Sequence, residues 1–226
     1  MDIFYPVVKF FTQGGPFMLP ILLVAAVGTA IAVERYVTLT RMRVRNQKVW
    51  AEVEPALAKG DFDKAREVTG KDDAAISRLL SMGLALQGAV RRRDDVEKAM
   101  EESMLEIIPQ LEKRTHYLAT FANLATLLGL LGTVIGLIHA FAAVATVNPA
   151  EKANLLSASI SEAMNCTAFG LMTAVPILFV HAFLQSRTAQ LIDSLEAASV
   201  KFLNVLATRQ SARAQSSLEF ARAAAA

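Results

Sequence analysis

The distribution of charge is the feature that most constrains how this 226-residue chain can fold. All of its 23 Lys and Arg and 21 Asp and Glu side chains lie outside three long windows, Phe10–Val33, Tyr117–Ala150 and Ala163–Ser186. A soluble domain spreads its charges over its surface. Each window exceeds the ~20 apolar residues that cross a ~30 Å hydrocarbon layer, and none alternates as a strand would. The sequence therefore predicts an all-α integral membrane protein with three transmembrane helices.

The cations that flank the windows predict the orientation of the chain. The first window resembles a secretory signal because Ala30–Ala32 looks like a cleavage site, but a signal carries its positive charge before the apolar core. Here Lys9 is almost alone before the window, so we expect a retained anchor. Cations that follow the first and third windows place both exits in the cytoplasm. These are Arg35, Arg41, Arg43, Arg45 and Lys48 after the first, and Arg187, Lys201, Arg209 and Arg213 after the third.

This orientation predicts a multi-pass protein of a bacterial inner membrane, with a periplasmic N-terminus and a cytoplasmic C-terminus. The predicted segments are a periplasmic amphipathic segment (1–15), a first transmembrane helix (16–34), a cytoplasmic helical domain (35–116), a second transmembrane helix (117–146), a periplasmic turn (147–161), a third transmembrane helix (162–186), and a cytoplasmic helical extension with a tail (187–226).

The cytoplasmic segments are expected to be helical throughout. Gly60 followed by Asp61 predicts a C-cap and the start of a second helix, which together form a hairpin. Apolar residues over 79–86 predict a third helix, and Asp94 or Asp95 is expected to cap a fourth. Beyond the third window an apolar stripe continues the helix, which is expected to run from about Leu155 to about Thr208. Its members are Leu184, Leu191, Ile192, Leu195, Ala198, Phe202 and Leu206.

The two ends of the chain carry weaker patterns. Apolar residues from Ile3 to Phe11 predict a short helix on the outer membrane surface, with a frayed terminus as the alternative. The alanine-rich stretch Ala221–Ala226 is of low complexity and is expected to be disordered.

Small residues cover one face of the second and of the third transmembrane helix. At 100° per residue, each set falls on a single side of its helix. Such faces allow close backbone approach in a membrane, where lipid provides no hydrophobic drive to association. The pattern predicts tight helix packing, at least partly within one subunit. The residues that we assign to packing are Gly129, Gly132, Gly136, Ala163, Gly170, Ala174 and Pro176.

Each small face carries one hydroxyl at mid-membrane. By the rise of an α-helix, Thr133 and Thr167 lie at comparable depths, where they could order water or hydrogen-bond a partner. The alternative is that each hydroxyl bonds a carbonyl of its own helix. Both possibilities stay open at the level of the sequence.

No Asp, Glu, Lys or Arg lies in the middle of a span, so the chain lacks the carboxylate on which a membrane proton carrier normally depends. Glu162, at the outer edge of the third span, is either a solvated helix-end acid or part of a proton entry. His139 and His181 either join helices by hydrogen bonds or relay protons. One cysteine and three dispersed histidines predict no metal site, and we expect no cofactor. A net charge of +2 does not indicate a nucleic-acid surface.

Three segments follow one another along the second and third spans, namely Gly129–Leu137 (GLLGTVIGL), Ser161–Leu171 (SEAMNCTAFGL) and Ala174–Pro176 (AVP). In this order they resemble the MotA/TolQ/ExbB proton-channel family, and the three-span layout is closest to its ExbB and TolQ subunits. MotA has a fourth span and a charged torque-generating loop that this sequence lacks. Asn165 and Cys166 stand where the family often has small apolar residues.

The resemblance implies a pentameric ring that surrounds a dimer of a single-span ExbD- or TolR-like protein. That partner would supply the protonatable Asp, while Thr133, Thr167 and Glu162 would lie along the proton pathway. The implied function is to convert proton-motive force into mechanical work on the cell envelope through a TonB- or TolA-like periplasm-spanning protein. TonB-dependent transport, Tol-type constriction and surface gliding are alternative loads.

A different class of function is a passive membrane scaffold, in which the small faces build an oligomer and no proton passes. An enzyme is not expected, since the spans offer no nucleophile with a base and an orienting group.

Overall fold

The computed structural model describes residues 14–87 and 93–224, and within these ranges it contains six helices and no β-strand. The helices are α1 (Met18–Lys59), α2 (Phe62–Lys71), α3 (Ala75–Leu86), α4 (Arg93–Glu112), α5 (Thr115–Val144) and α6 (Pro149–Ala224). Parts of α1, α5 and α6 are long and apolar enough to cross a membrane. The predicted all-α class and the three predicted spans are therefore confirmed.

The chain divides into two compact units. The span unit contains the described residues up to Tyr36 together with Arg114–Gln185, and the bundle unit contains Val37–Lys113 with the residues from Ser186 onward. The outside of the span unit is apolar, and Phe179, for example, is 76% exposed. Further exposed apolar residues there are Leu127, Leu130, Val134, Ile138, Phe141, Met172 and Val175. Exposed apolar area of this extent is typical of a surface that meets lipid or another protein.

The turn between α1 and α2 follows the local sequence. Gly60 has a φ of +70°, its N–H donates to the carbonyl of Leu57 (2.9 Å), and the N–H of Asp61 donates to that of Ala56 (2.9 Å). This pair of bonds ends α1 as a Schellman motif, which needs a residue without Cβ strain at the left-handed position. The Asp61 side chain then accepts from the N–H of Lys64 (3.1 Å) and caps α2. The predicted hairpin is confirmed.

The bundle unit has its own apolar core. Leu79 and Leu80 on α3 are fully buried, as is Phe202 on α6. A Cβ on Gly83 would lie 2.5 Å from Cε1 of Phe202, so the glycine lets the ring reach α3. The predicted stripe on α6 is buried at every position except Ile192, which is half-buried.

Several predicted boundaries are wrong. Residues 149–161, expected to form a turn, are helical because α6 begins at Pro149, a residue whose fixed φ suits the first helical position. Asp94 and Asp95 lie inside the first turn of α4 rather than before it, where carboxylates still favour the helix dipole. The alanine-rich tail is helical through Ala224, since alanine has the highest helix propensity. The predicted helix at Ile3–Phe11 lies outside the described residues.

Candidate functional site

The small faces of α5 and α6 meet inside the span unit with their backbones in contact. A Cβ added to Gly129 would lie 3.2 Å from Cα of Thr167 and 3.3 Å from Cα of Gly170. A Cβ on Gly170 would lie only 2.7 Å from the carbonyl oxygen of Ala125. Because these neighbours are main-chain atoms, no side-chain rotation could relieve the overlap. Glycine at both positions therefore determines how closely the two helices approach.

The contact continues toward the connection between α5 and α6. A Cβ on Gly136 would lie 2.9 Å from Cβ of Ala163, and one on Gly132 would overlap Sγ of Cys166. Ala174, on the same side of α6, is buried. Pro176 lies within α6 but is exposed in the single subunit.

The two threonines make different hydrogen bonds. Oγ1 of Thr167 donates across the helix interface to the carbonyl of Gly129 (2.8 Å), whereas Oγ1 of Thr133 donates to the carbonyl of Leu130 in its own helix (2.6 Å). Both side chains are half-buried. A hydroxyl has one proton and two lone pairs. In this arrangement each hydroxyl directs its proton to a main-chain carbonyl and presents its oxygen lone pairs to a further group.

A small cleft brings Glu162 and His139 together. It has a volume of about 80 Å³, and Gly132, Gly136 and Cys166 also line it. At ~30 Å³ per water molecule, this is space for only two or three waters. Thr133, Thr167 and His181 do not line the cleft. The structure thus places one predicted acid and one predicted histidine on a cleft that the threonines do not line.

The segment before α1 closes one side of this cleft. Gly14, Gly15, Pro16 and Phe17 all line it, and Gly15 has a φ of +72°. A Cβ on Gly15 would overlap Oε1 of Glu162, so the carboxylate lies directly against this glycine. This contact was not predicted from the sequence. The Gly14-Gly15-Pro16 sequence was a signal for a tight turn, but it did not indicate which side chain the turn would cover.

A second polar cluster lies at the opposite end of α5 and was also missed. Arg35 is buried and its Nε donates to Oγ1 of Thr115 (3.2 Å). Next to Thr115 in sequence, Arg114 binds both carboxylate oxygens of Glu34 (2.9 and 2.8 Å). Arg114 has a φ of +64°, a conformation that costs roughly 1–2 kcal/mol for a residue with a Cβ. The sequence signal was the presence of charges immediately next to two charge-free windows.

Among residues 14–87 and 93–224, no group of His, Cys, Asp and Glu side chains has an arrangement that could hold a metal ion. The candidate site of the span unit consists of two threonine hydroxyls, a cleft lined by Glu162 and His139, and the Arg–Glu cluster. Such a set can accept hydrogen bonds and exchange protons with water.

Comparison with known proteins gives consistent matches. A model of the MotA/TolQ/ExbB proton channel family matches residues 71–197. An ExbB-like biopolymer transport protein of Synechocystis sp. is 31% identical over 189 residues, covering 81% of this chain and 72% of the relative. The biopolymer transport protein ExbB of Neisseria gonorrhoeae is 28% identical over 208 residues, covering 83% and 90%. The Tol-Pal system protein TolQ of Haemophilus influenzae is 37% identical over 90 residues, covering 40% and 39%.

Proposed function

Because this chain belongs to the MotA/TolQ/ExbB proton channel family, we propose that it is the ring-forming subunit of a proton-driven motor in a bacterial inner membrane. In this proposal a pentamer surrounds two copies of an ExbD- or TolR-like single-span partner. The N-terminus lies in the periplasm and the C-terminus in the cytoplasm, as the flanking cations indicate. The chain has no enzymatic role of its own.

The observation that carries the proposal is the combination of hydroxyls and missing acids in the spans. Thr133 and Thr167 offer oxygen lone pairs inside an apolar unit, yet no Asp or Glu lies in the middle of any span. A carrier of protons must therefore come from another polypeptide. A partner helix that brings an Asp to the level of the two threonines would complete the site.

The bonding of the hydroxyls favours the neutral form of that Asp. With their protons directed at main-chain carbonyls, both oxygens present lone pairs, and a protonated carboxyl group can donate its single proton to one of them at a time. They therefore stabilise the neutral Asp inside the ring and let it move through the apolar interior. Glu162 and His139, in their shared cleft, would pass protons between periplasmic water and the partner's Asp.

The energy for mechanical work comes from the proton gradient. Each proton supplies ~2.3 kcal/mol per 100 mV plus its pH contribution. We propose that protonation allows the central pair to turn or shift and that a TonB-like protein carries this motion across the periplasm in TonB-dependent transport. Tol-type constriction and surface gliding are alternative loads, and both an ExbB and a TolQ are among the relatives.

Proton flux through proteoliposomes tests the proposal. The chain is reconstituted with its co-purified single-span partner, and flux is followed with a pH-sensitive dye. Replacing Thr133 and Thr167 together by Val removes both accepting oxygens at nearly constant volume, and we expect flux to fall about fivefold, since the one hydrogen bond that the carboxyl proton can make contributes ~1 kcal/mol. Thr126→Val is the matched control, because the Thr126 hydroxyl also bonds a carbonyl of its own helix, that of Ala122 (3.1 Å), but lies two turns, ~10 Å, away from Thr133.

Two outcomes would contradict the motor. If the double variant assembles with its partner and conducts protons like the wild type, the threonines have no part in the pathway. If the wild-type complex gives no more flux than empty liposomes, the passive scaffold is the better description.

A further inference from the structure

The bundle unit contains a cleft that the proposed motor does not use. It lies between α1 and α6, has a volume of about 280 Å³, and is closed on one side by Ile76. Leu191 and Ala198 form its buried apolar part. Its polar lining comes from Arg43 and Asn46 on α1 and from further residues on both helices, namely Gln47, Trp50, Gln190, Ser194 and Lys201.

Asn46 is the most informative residue of this cleft. Its side chain is only 4% exposed, and its Oδ1 accepts from the N–H of Ile76 (3.4 Å). Within the described part of the chain, its Nδ2 group has no acceptor. A buried donor without a partner costs roughly 1–3 kcal/mol, so such groups are seldom kept without a reason. A ligand with an acceptor oxygen would satisfy this donor.

The charged residues that line the cleft have a single sign. Arg43 and Lys201 both line the cleft, and no Asp or Glu is among its lining residues. The Nζ of Lys201 is paired with Glu54 (2.7 Å) and lies 5.4 Å from the centre of the Trp50 ring. Arg43 makes no ion pair among the residues that the structure describes. The guanidinium of Arg43 is therefore the cation best placed to hold a ligand.

We propose that this cleft binds a small oxyanion, a molecule that presents a phosphate or carboxylate group to Arg43 and Asn46. A guanidinium donates two parallel hydrogen bonds to such a group, and the amide of Asn46 adds a third donor. The apolar part of the cleft and the Trp50 ring would contact the rest of the ligand. A volume of about 280 Å³ is at the lower end for ligand sites, which limits the ligand to a small molecule or a single head group.

Isothermal titration of the full-length chain, in nanodiscs of neutral lipid, tests the proposal with inorganic phosphate and with citrate at constant ionic strength. We expect saturable binding of at least one of them. Arg43→Gln should weaken it by tenfold or more. Asn46→Asp should do the same, because it keeps the acceptor for the Ile76 N–H and turns the donor into a second acceptor. Arg41→Gln is the matched control, since Arg41 is exposed on the same helix and does not line the cleft.

A second arm distinguishes a soluble anion from a lipid head group. The titration is repeated in nanodiscs that contain phosphatidylglycerol. Weaker apparent binding of phosphate or citrate there means that the lipid phosphate occupies the same cleft, and unchanged binding identifies a soluble anion. Either result supports the oxyanion site if Arg43→Gln abolishes it. Absence of saturable binding in both kinds of nanodisc overturns the proposal, as does an equal loss in Arg41→Gln and Arg43→Gln. The binding result for Asn46→Asp counts only if the thermal unfolding of this variant matches that of the wild type. The comparison of Arg43→Gln with Arg41→Gln decides the outcome by itself.

Discussion

Substitution of Gly170 by Ala tests the close approach of α5 and α6 most directly. The new Cβ would lie 2.7 Å from the Ala125 carbonyl oxygen and 3.1 Å from Cα of Gly129. Carbon and carbonyl oxygen normally meet at ~3.3 Å or more, so the helices must separate by about half an ångström at this level. Overpacking of this kind costs typically ~1–3 kcal/mol. The higher helix propensity of alanine offsets ~1 kcal/mol of this cost, which leaves a net loss of up to about 2 kcal/mol.

The separation also affects Thr167, which lies one turn from Gly170. Its hydrogen bond to the Gly129 carbonyl is 2.8 Å long, and half an ångström of separation would weaken it markedly. We therefore expect Gly170→Ala to lower both the thermal unfolding temperature of the purified protein and the proton flux of the reconstituted complex. Circular dichroism on heating and the liposome assay measure the two effects.

Gly70→Ala is the matched control for this change. Gly70 also lies within a helix, α2, but a Cβ there has no atom within 4 Å. The same substitution should stabilise the protein by about 0.5–1 kcal/mol, because only the propensity term remains. Gly170→Ala could instead have the unfolding temperature and proton flux of the wild type while Gly70→Ala stabilises the protein. In that case α5 and α6 are not held at the distance that the structure gives.

Other predictions concern the bundle unit. Gly60→Ala should destabilise it by roughly 1–2 kcal/mol, since Gly60 has a φ of +70° and alanine is strained there, and chemical denaturation would measure the loss. Phe202→Ala should cost about 3–5 kcal/mol because the ring is completely buried against α3, and limited proteolysis should then cleave the bundle unit much faster. Val200→Ala, 55% exposed on the same helix, should change stability by less than about 0.5 kcal/mol, and an equal effect of the two would contradict the assigned core.

Local signals explain what the sequence could predict. Charge-free windows identify the spans without any knowledge of packing, and Gly60 with Asp61 specifies the α1–α2 turn because both capping partners lie within a few residues. The apolar stripe on α6 was predictable because its spacing is also a local feature of the sequence. The start of α6 at Pro149 was not predicted, since a helix was expected only from about Leu155.

Long-range contacts explain what the sequence could not predict. The Glu162–His139 cleft and the Thr167–Gly129 bond both depend on the register between α5 and α6, which the small residues allow but do not define. A shift of one turn would keep every glycine on the same face and change each polar neighbour. The same limit applies to Asn46, whose unpaired amide becomes visible only when α1 and α3 are placed against each other.

The bonding of Thr133 and Thr167 leads to a pH prediction that a purely steric role would not produce. If either oxygen accepts from a protonated partner Asp, the pair favours its neutral form and keeps it protonated to higher pH than it would be without them. Replacing both Thr by Val removes this bond of ~1 kcal/mol, so the pH midpoint of proton flux should move to lower pH by roughly half a unit or more. Substitution by Ser keeps the oxygen and should leave the midpoint in place. Flux measured from pH 5 to 8 in the same liposomes distinguishes the two roles: a lower rate with an unchanged midpoint in the Val variants would mean that the hydroxyls shape the interior without contacting the acid.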